Sequence, residues 1–167
     1  MALQSGQITD LNELFVHTLR DVYYAEKQIE KALPKMIRKA SAGPLREAFE
    51  SHLEETHGQI SRLEKVFEMH GAEVKGVQCP AIDGIIEEAE ELSGETGTSE
   101  VSDAALAAAA QAVEHYEISR YGTLVTWAKE LGRDDCAAVL QETLAEEKAA
   151  DAKLNKLAED RLNRKAA

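Results

Sequence analysis

The fold is decided by residues 11–37, which read LNELFVHTLRDVYYAEKQIEKALPKMI. Apolar side chains recur in this stretch every three or four residues, the spacing that places them on one face of an α-helix. Glu26 falls in the middle of that face, between Val22 and Ile29. The stretch therefore predicts an amphipathic helix that directs a carboxylate toward the interior of the protein.

The composition indicates a single all-α domain. The chain has 167 residues, of which 44% are hydrophobic, 5% are aromatic and three are proline. This length suits one domain with a sizeable core, and long stretches without helix breakers favour helices. The formal net charge of −12 disfavours polyanionic partners, so we expect neither nucleic acid nor an acidic membrane surface as a partner.

The sequence carries no sign of export or of membrane insertion. Residues 1–10 lack a basic segment followed by an apolar one, and apolar runs fall short of the roughly 18 residues that a membrane span requires. The two cysteines, Cys79 and Cys136, are far apart and form no CxxC pair, so we expect free thiols. These features predict a cytoplasmic protein.

Glycine and proline signals divide the chain into four long helices and one long connection. The long helices are expected near residues 10–40, 44–70, 102–131 and 134–164. Residues 71–102 form a crossover, in which a short amphipathic helix is expected at 81–92. Residues 1–167 are therefore predicted to form one four-helix bundle with a long crossover that carries a short extra helix.

Acidic residues interrupt the apolar face of every predicted long helix. A buried carboxylate is costly unless it is paired, protonated or bound to a cation. Residues three or four positions apart lie on one face of a helix, so each pair of this kind can present two ligands to a metal. The candidate ligands are Glu26 from the first long helix, Glu54 and His57 from the second, Glu114 and Glu117 from the third, and Glu147 and Asp151 from the fourth.

Carboxylates combined with imidazole suit iron or manganese. Seven candidate ligands from four helices predict a dinuclear site with bridging carboxylates and open positions for water, peroxide or dioxygen. His52 and His115 neighbour the candidates in sequence but are expected to point elsewhere, so they are left out. Each candidate taken alone has a simpler interpretation, as a solvated carboxylate or a hydrogen-bonded core histidine.

Several motifs resemble those of the YciF/YciE-like branch of the ferritin-like superfamily. The most specific are Tyr24-Ala-Glu26-Lys-Gln, His52-Leu-Glu-Glu-Thr-His57-Gly-Gln-Ile, Asp103-Ala-Ala-Leu, Val113-Glu-His-Tyr-Glu117-Ile, Tyr121-Gly-Thr-Leu and Leu144-Ala-Glu-Glu-Lys148. The resemblance covers essentially the whole chain. It implies a rubrerythrin-like, ferritin-like four-helix bundle, a homodimer and a di-iron type centre, in a family associated with bacterial stress responses.

The resemblance also implies a ligand set with one departure from the rubrerythrin pattern. Matching positions are Glu26, Glu54, His57, Glu114, Glu117 and Glu147. On the fourth helix, Asp151 stands where the rubrerythrin-like pattern has a histidine, which implies an all-oxygen shell for one of two Fe (or Mn) ions. The chain lacks a rubredoxin-like set of four cysteines, so a built-in electron donor is not expected.

The sequence leaves different classes of function open. The first is an oxidoreductase in which two Fe or Mn ions reduce peroxide or dioxygen by changing redox state. The second is a non-enzymatic stress protein that sequesters metal or docks to a partner. A third alternative is a metal-free bundle whose carboxylates are protonated or paired.

Overall fold

Long helices account for most of the chain in the computed structural model, which describes residues 6–167. They are α1 (Leu11–Lys39), α2 (Gly43–His70), α3 (Pro80–Glu95), α4 (Ser99–Glu130) and α5 (Asp134–Leu157). A π-helical turn at Ala158–Leu162 and a short α6 at Asn163–Ala166 continue from α5. The described residues contain no β-strand, which confirms the predicted all-α class.

The helix ends follow local signals in the sequence. Asp10 caps α1, because its Oδ1 accepts a hydrogen bond from the backbone N–H of Glu13 at 2.7 Å. Gly71 and Gly132 follow α2 and α4 with φ angles of 75° and 70°, a left-handed conformation that favours glycine. Gly71 allows the chain to turn after α2, and Gly132 allows a tight connection between α4 and α5. The helix α5 packs against both α2 and α4.

The crossover after α2 contains α3, which packs against α1 and α4. Ile82 on α3 is fully buried, and the hydroxyl of Tyr24 on α1 donates a hydrogen bond to Asp83 Oδ1 at 2.9 Å. The helix α4 begins at Ser99, before the predicted start, because the hydroxyl of Thr98 caps its first turn. The crossover is therefore present as predicted, and its helix α3 is longer than the helix predicted at 81–92.

The bundle core consists of two apolar clusters on either side of an acidic layer. One cluster contains Phe15 and Leu19, which precede Glu26 on α1, and the other contains Ile29 and Leu33, which follow it. The two clusters are likewise separated on α4 and α5 at the positions of their buried glutamates. The core is thus interrupted at one level of the bundle by polar side chains.

Two further expectations concern the thiols and the membrane. Cys79 and Cys136 are both buried and free, as expected from their separation in sequence. Within residues 6–167, none of the helices combines the length and the apolar character that crossing a bilayer requires.

Candidate metal centre

Four buried side chains from three helices converge in the acidic layer. His52 on α2, Glu114 and Glu117 on α4, and Glu147 on α5 each offer one ligand atom, and these atoms all lie within 4.8 Å of one another. The three glutamates are 0% exposed and His52 is 5% exposed. Because metal–ligand bonds measure about 2.0–2.6 Å, the ligands of one ion lie within about 5 Å of one another. The spacing of the four side chains therefore fits a bound cation.

His52 lies against the carboxylates of both α4 and α5. Its Nδ1 is 2.8 Å from Glu114 Oε1, and its Nε2 is 3.8 Å from Glu117 Oε2 and 4.0 Å from Glu147 Oε2. The two Nε2 distances are too long for hydrogen bonds, and the 2.8 Å contact at Nδ1 is not a hydrogen bond in the structure either. Among the described residues, both carboxylate oxygens of each of the three glutamates and Nε2 of His52 lack a hydrogen-bond partner. Since buried polar atoms are nearly always partnered, this donor set fits a metal ion.

Glu26 contributes a fifth buried side chain, from α1. It is 0% exposed, and its Oε1 accepts a hydrogen bond from the hydroxyl of the fully buried Tyr121 at 2.5 Å. Its Oε2 has no partner within the part of the chain that the structure describes. Glu26 is also close enough to Glu117 to form a hydrogen bond when one of the two carboxyl groups is protonated. The four helices α1, α2, α4 and α5 therefore each supply at least one side chain to this layer.

Burial raises the pKa of every glutamate in the layer. Loss of solvation is the largest cause, and repulsion between neighbouring carboxylates contributes at Glu26 and Glu117. The pKa rises from 4.5 to about 8 for Glu26, about 7 for Glu114 and about 9 for Glu147, and the pKa of Glu117 lies well above its ordinary range. At neutral pH, protons or cations must therefore neutralise the layer.

The structure does not bring Glu54 and His57 to this centre. Both residues are exposed, and the His57 side chain is 48% exposed with its Nε2 3.5 Å from Glu30 Oε1. His57, predicted as a ligand, lies on the exposed face of α2, and the prediction that His52 points elsewhere is wrong. The imidazole of the centre comes from His52.

The assignment of Leu45, Phe49, Leu53 and His57 to one apolar face of α2 is the source of this error. Three successive four-residue steps, from Leu45 through Leu53 to His57, turn away from one face by about 40° per step, because helical residues are about 100° apart. A helix packed along its length against neighbours alternates steps of four and three residues. The buried face follows that alternation through Leu45, Phe49, His52, Thr56, Gln59, Leu63 and Val66. The heptad spacing is therefore the signal in the sequence that selects His52.

Asp151 lies outside the group of four and flanks it on α5. Its side chain is 25% exposed, and its Oδ1 is 3.0 Å from Nε2 of His115, which is 69% exposed. The charge of Asp151 adds to the rise in the pKa of Glu114 that burial causes. Asp151 is thus near the centre, between it and the surface, and in contact with His115 rather than His52.

Comparison with known proteins gives relatives that span nearly the whole chain. The family described as "Domain of unknown function (DUF892)" matches residues 10–167. Protein YciF of Escherichia coli (strain K12) is 51% identical over 157 residues, which cover 93% of this chain and 95% of that protein. The resemblance to the YciF/YciE-like branch is confirmed.

Solved structures share the architecture. The E. coli stress protein YciF superposes with a TM-score of 0.89 at 50% identity, covering 93% of this chain and 99% of that one. "YcfI, a putative structural protein from Rhodopseudomonas palustris", superposes with a TM-score of 0.89 at 56% identity, covering 92% and 98%. A protein from Xanthomonas campestris pv. campestris, 22% identical over 95% of this chain and 100% of that one, has a TM-score of 0.73 and shares the fold alone. With relatives at this identity and a family match from residue 10 to residue 167, this chain belongs to the DUF892 family of YciF-like proteins.

Proposed function

We propose that the buried centre binds divalent iron or manganese and that the protein is a metal-dependent stress protein reacting with peroxide or dioxygen. A mixed set of carboxylates and one imidazole suits these metals. One observation carries the proposal, namely a group of buried ligand atoms that lack hydrogen-bond partners among residues 6–167 when the carboxyl groups are ionised. These atoms are both carboxylate oxygens of Glu114, Glu117 and Glu147, Oε2 of Glu26 and Nε2 of His52.

The number of carboxylates supports a dinuclear centre. Two cations repel each other at short range, and bridging carboxylates offset this repulsion in bundles of this kind. We propose that two Fe or Mn ions are held by His52, Glu26, Glu114, Glu117 and Glu147. This set replaces the pair Glu54 and His57 by the buried His52 and leaves Asp151 beside the centre.

The protein supplies binding, orientation and a dry environment. When bound, iron or manganese supplies the one-electron chemistry that the side chains lack. Tyr121 holds one oxygen of Glu26 in place and leaves the other for a cation. The apolar clusters above and below the layer exclude water, which strengthens electrostatic interactions in the centre. Metal binding displaces the protons that the raised pKa values of the glutamates otherwise retain.

A non-enzymatic role is the second candidate function. The complete burial of the four glutamates favours retention of metal, either for sequestration or for stabilising the bundle. The E. coli relative is described as a stress protein, a role compatible with both candidates. The two free cysteines suit a reducing compartment, so we place the protein in the cytoplasm.

Metal binding is tested by elemental analysis of protein purified without added metal, followed by titration with Mn(II) and with Fe(II) under anaerobic conditions. We expect two ions per chain, and we expect His52→Ala and Glu147→Gln to weaken binding by at least about tenfold. His57→Ala is the matched control, since it removes an exposed imidazole from the same helix and should bind metal like the wild type. Equal affinities in His52→Ala and His57→Ala would contradict the proposed ligand set.

Consumption of peroxide by the Fe(II)-loaded protein decides between the two candidates. We expect the wild type and His57→Ala to consume peroxide faster than His52→Ala and faster than the same amount of free Fe(II). Tight metal binding without faster consumption favours sequestration, and failure of the wild type to bind metal contradicts both candidates.

We also propose that two copies of the chain associate. Leu92 on α3 and Val101 on α4 are large apolar side chains that remain 46% and 40% exposed, on two helices that pack against each other. A homodimer, the commonest symmetric assembly, would cover them. Light scattering should give twice the chain mass of 18.3 kDa, whereas a mass of one chain would contradict the proposal.

A further inference from the structure

The buried centre is connected to the surface by a cleft between α2 and α5. The cleft has a volume of about 100 Å³, and His52 and Glu114, two of the proposed ligands, line its inner part. Ser51 on α2 and Lys153 on α5 also line it and are exposed. The lining thus passes from buried ligands to solvent-exposed side chains within one short cleft.

A second cavity is also lined by His52, but it is smaller and less polar than the cleft. It has a volume of about 40 Å³, and apart from His52 its lining is apolar. The lining includes Ile29, Leu33, Met36, Ile86 and Val113. An apolar wall offers nothing to replace the water shell of a cation. The cleft between α2 and α5 is therefore the better route for an ion.

Glu55 also lines the cleft, and its burial is intermediate between that of the fully buried Glu114 and that of the exposed Ser51. It follows His52 by one helical turn on α2 and is half-buried. A cation that enters the cleft meets this carboxylate before it reaches the fully buried Glu114.

We propose that the cleft between α2 and α5 is the access route to the centre, and that Glu55 is a transient ligand for partly hydrated divalent cations on this route. The inference rests on the proposed function, since it presupposes that the centre binds metal. At about 30 Å³ per water molecule, a cleft of about 100 Å³ holds about three waters. It therefore has room for molecules of the size of water, peroxide or dioxygen, and for an ion that has lost part of its water shell.

Small side chains keep the route open and suggest how to close it. Ala150 on α5 lines the cleft and is half-buried, and Ser51 on the opposite wall is exposed. The variants Ala150→Leu and Ser51→Met each add bulk to one wall without altering a proposed ligand. Ala112→Leu is the matched control, because Ala112 is an exposed alanine on α4 that lines a separate depression beside His115 and Asp151.

The experiment measures how fast metal-free, full-length protein binds Co(II), by stopped-flow absorption of the bound ion. We expect Ala150→Leu and Ser51→Met to bind Co(II) about tenfold more slowly or more, with an unchanged equilibrium affinity, because the route and not the ligand set has changed. Glu55→Gln should also slow association, and Ala112→Leu should bind at the wild-type rate.

The outcomes distinguish a wrong access route from a wrong metal centre. If Ala150→Leu and Ser51→Met both bind Co(II) at the wild-type rate, the proposed route is wrong and the proposed function still stands. The route is also wrong if Ala112→Leu slows binding as much as these two variants do. Failure of the wild type to bind Co(II) overturns the proposed function and the route together. Thermal unfolding of each metal-free variant checks the fold, and Ser51→Met, at an exposed position, provides the test if Ala150→Leu does not fold.

Discussion

Tyr121 and Glu26 form a hydrogen bond in the core that has a chemical counterpart on the surface. The Tyr121 hydroxyl donates to Glu26 Oε1 at 2.5 Å, and both side chains are 0% exposed. The Tyr23 hydroxyl donates to Glu64 Oε1 at 3.0 Å at an exposed site between α1 and α2. Water can replace the lost donor at the surface but not in the core. The same chemical change should therefore have different effects at the two sites.

We expect Tyr121→Phe to lower the free energy of unfolding of the metal-free protein by about 1–3 kcal/mol, because it leaves a buried acceptor without a donor. Tyr23→Phe, which removes the exposed counterpart, should change it by less than about 0.5 kcal/mol. Urea unfolding followed by circular dichroism measures both values. Equal effects would contradict the view that Glu26 depends on Tyr121 inside a dry layer.

The burial of an acidic residue could be predicted where apolar residues precede and follow it on the same face of its helix. Glu26, Glu117 and Glu147 lie between aliphatic residues on their helices, and all three are 0% exposed. Glu54 has Glu50 and Gly58 four residues before and after it, and it is exposed. The spacing Glu54-x-x-His57 carries less information, because a solvent-exposed face of a glutamate-rich helix produces it as readily as a metal site does.

At the scale of helices, Asp103 on α4 fixes the connection between α1 and α2. Its two carboxylate oxygens accept hydrogen bonds from the backbone N–H groups of Ser41 and Ala42, both at 2.8 Å, and the residue is 4% exposed. Ala42 is the N-cap residue of α2 and has no polar side chain with which to cap the helix. Asp103 therefore sets the position at which α2, which carries His52, begins.

We expect Asp103→Ala to lower the free energy of unfolding by about 1–3 kcal/mol, because two partly buried N–H groups lose a charged acceptor. Asp103→Asn should have a smaller effect, since the amide retains one acceptor oxygen. Asp134→Ala, at an exposed position in the first turn of α5, is the control and should cost less than about 1 kcal/mol. Chemical denaturation provides the values, and a loss no greater for Asp103→Ala than for Asp134→Ala would refute the role of Asp103.

The existence of the helices could be predicted more accurately than the direction in which α2 faces. Caps and breakers such as Asp10 and Gly71 act within a few residues, so they can be recognised in the sequence itself. The buried face of α2 depends on the helices packed against it, and a small error in periodicity accumulates until His57 replaces His52. The π-helical turn at Ala158–Leu162 was not predicted either, because its sequence AEDRL contains neither proline nor glycine.

At the scale of the whole molecule, a charged layer divides the core and makes stability depend on what neutralises it. The apolar cluster around Phe15 and the one around Ile29 each exclude water from the glutamates between them. Desolvation is therefore the largest cause of the raised pKa values throughout the layer. Protons neutralise the carboxyl groups in the absence of metal, and a divalent cation can take their place.

The metal-free protein is expected to lose stability as the pH rises. In the folded protein the pKa is about 8 for Glu26, about 7 for Glu114 and about 9 for Glu147, against an ordinary value of 4.5. Between these values the folded protein binds more protons than the unfolded chain, so the free energy of unfolding falls with increasing pH. This contribution is fully present below about pH 4.5 and is lost as the pH passes through the folded-state values. Scanning calorimetry of the metal-free protein from acid to alkaline pH measures the trend.

Mn(II) should remove this loss, because the cation supplies at high pH the charge compensation that protons supply at low pH. The increase in Tm on adding Mn(II) should therefore be largest at the alkaline end of the range. Glu147→Gln, which cannot ionise, should show a shallower fall in Tm with pH without metal and a smaller gain with Mn(II). Glu87→Gln, at an exposed position on α3, should match the wild type in both respects. If the Tm of the metal-free wild type is constant or rises with pH over this range, or if Mn(II) stabilises Glu147→Gln as much as the wild type, then the buried glutamates do not form the cation site.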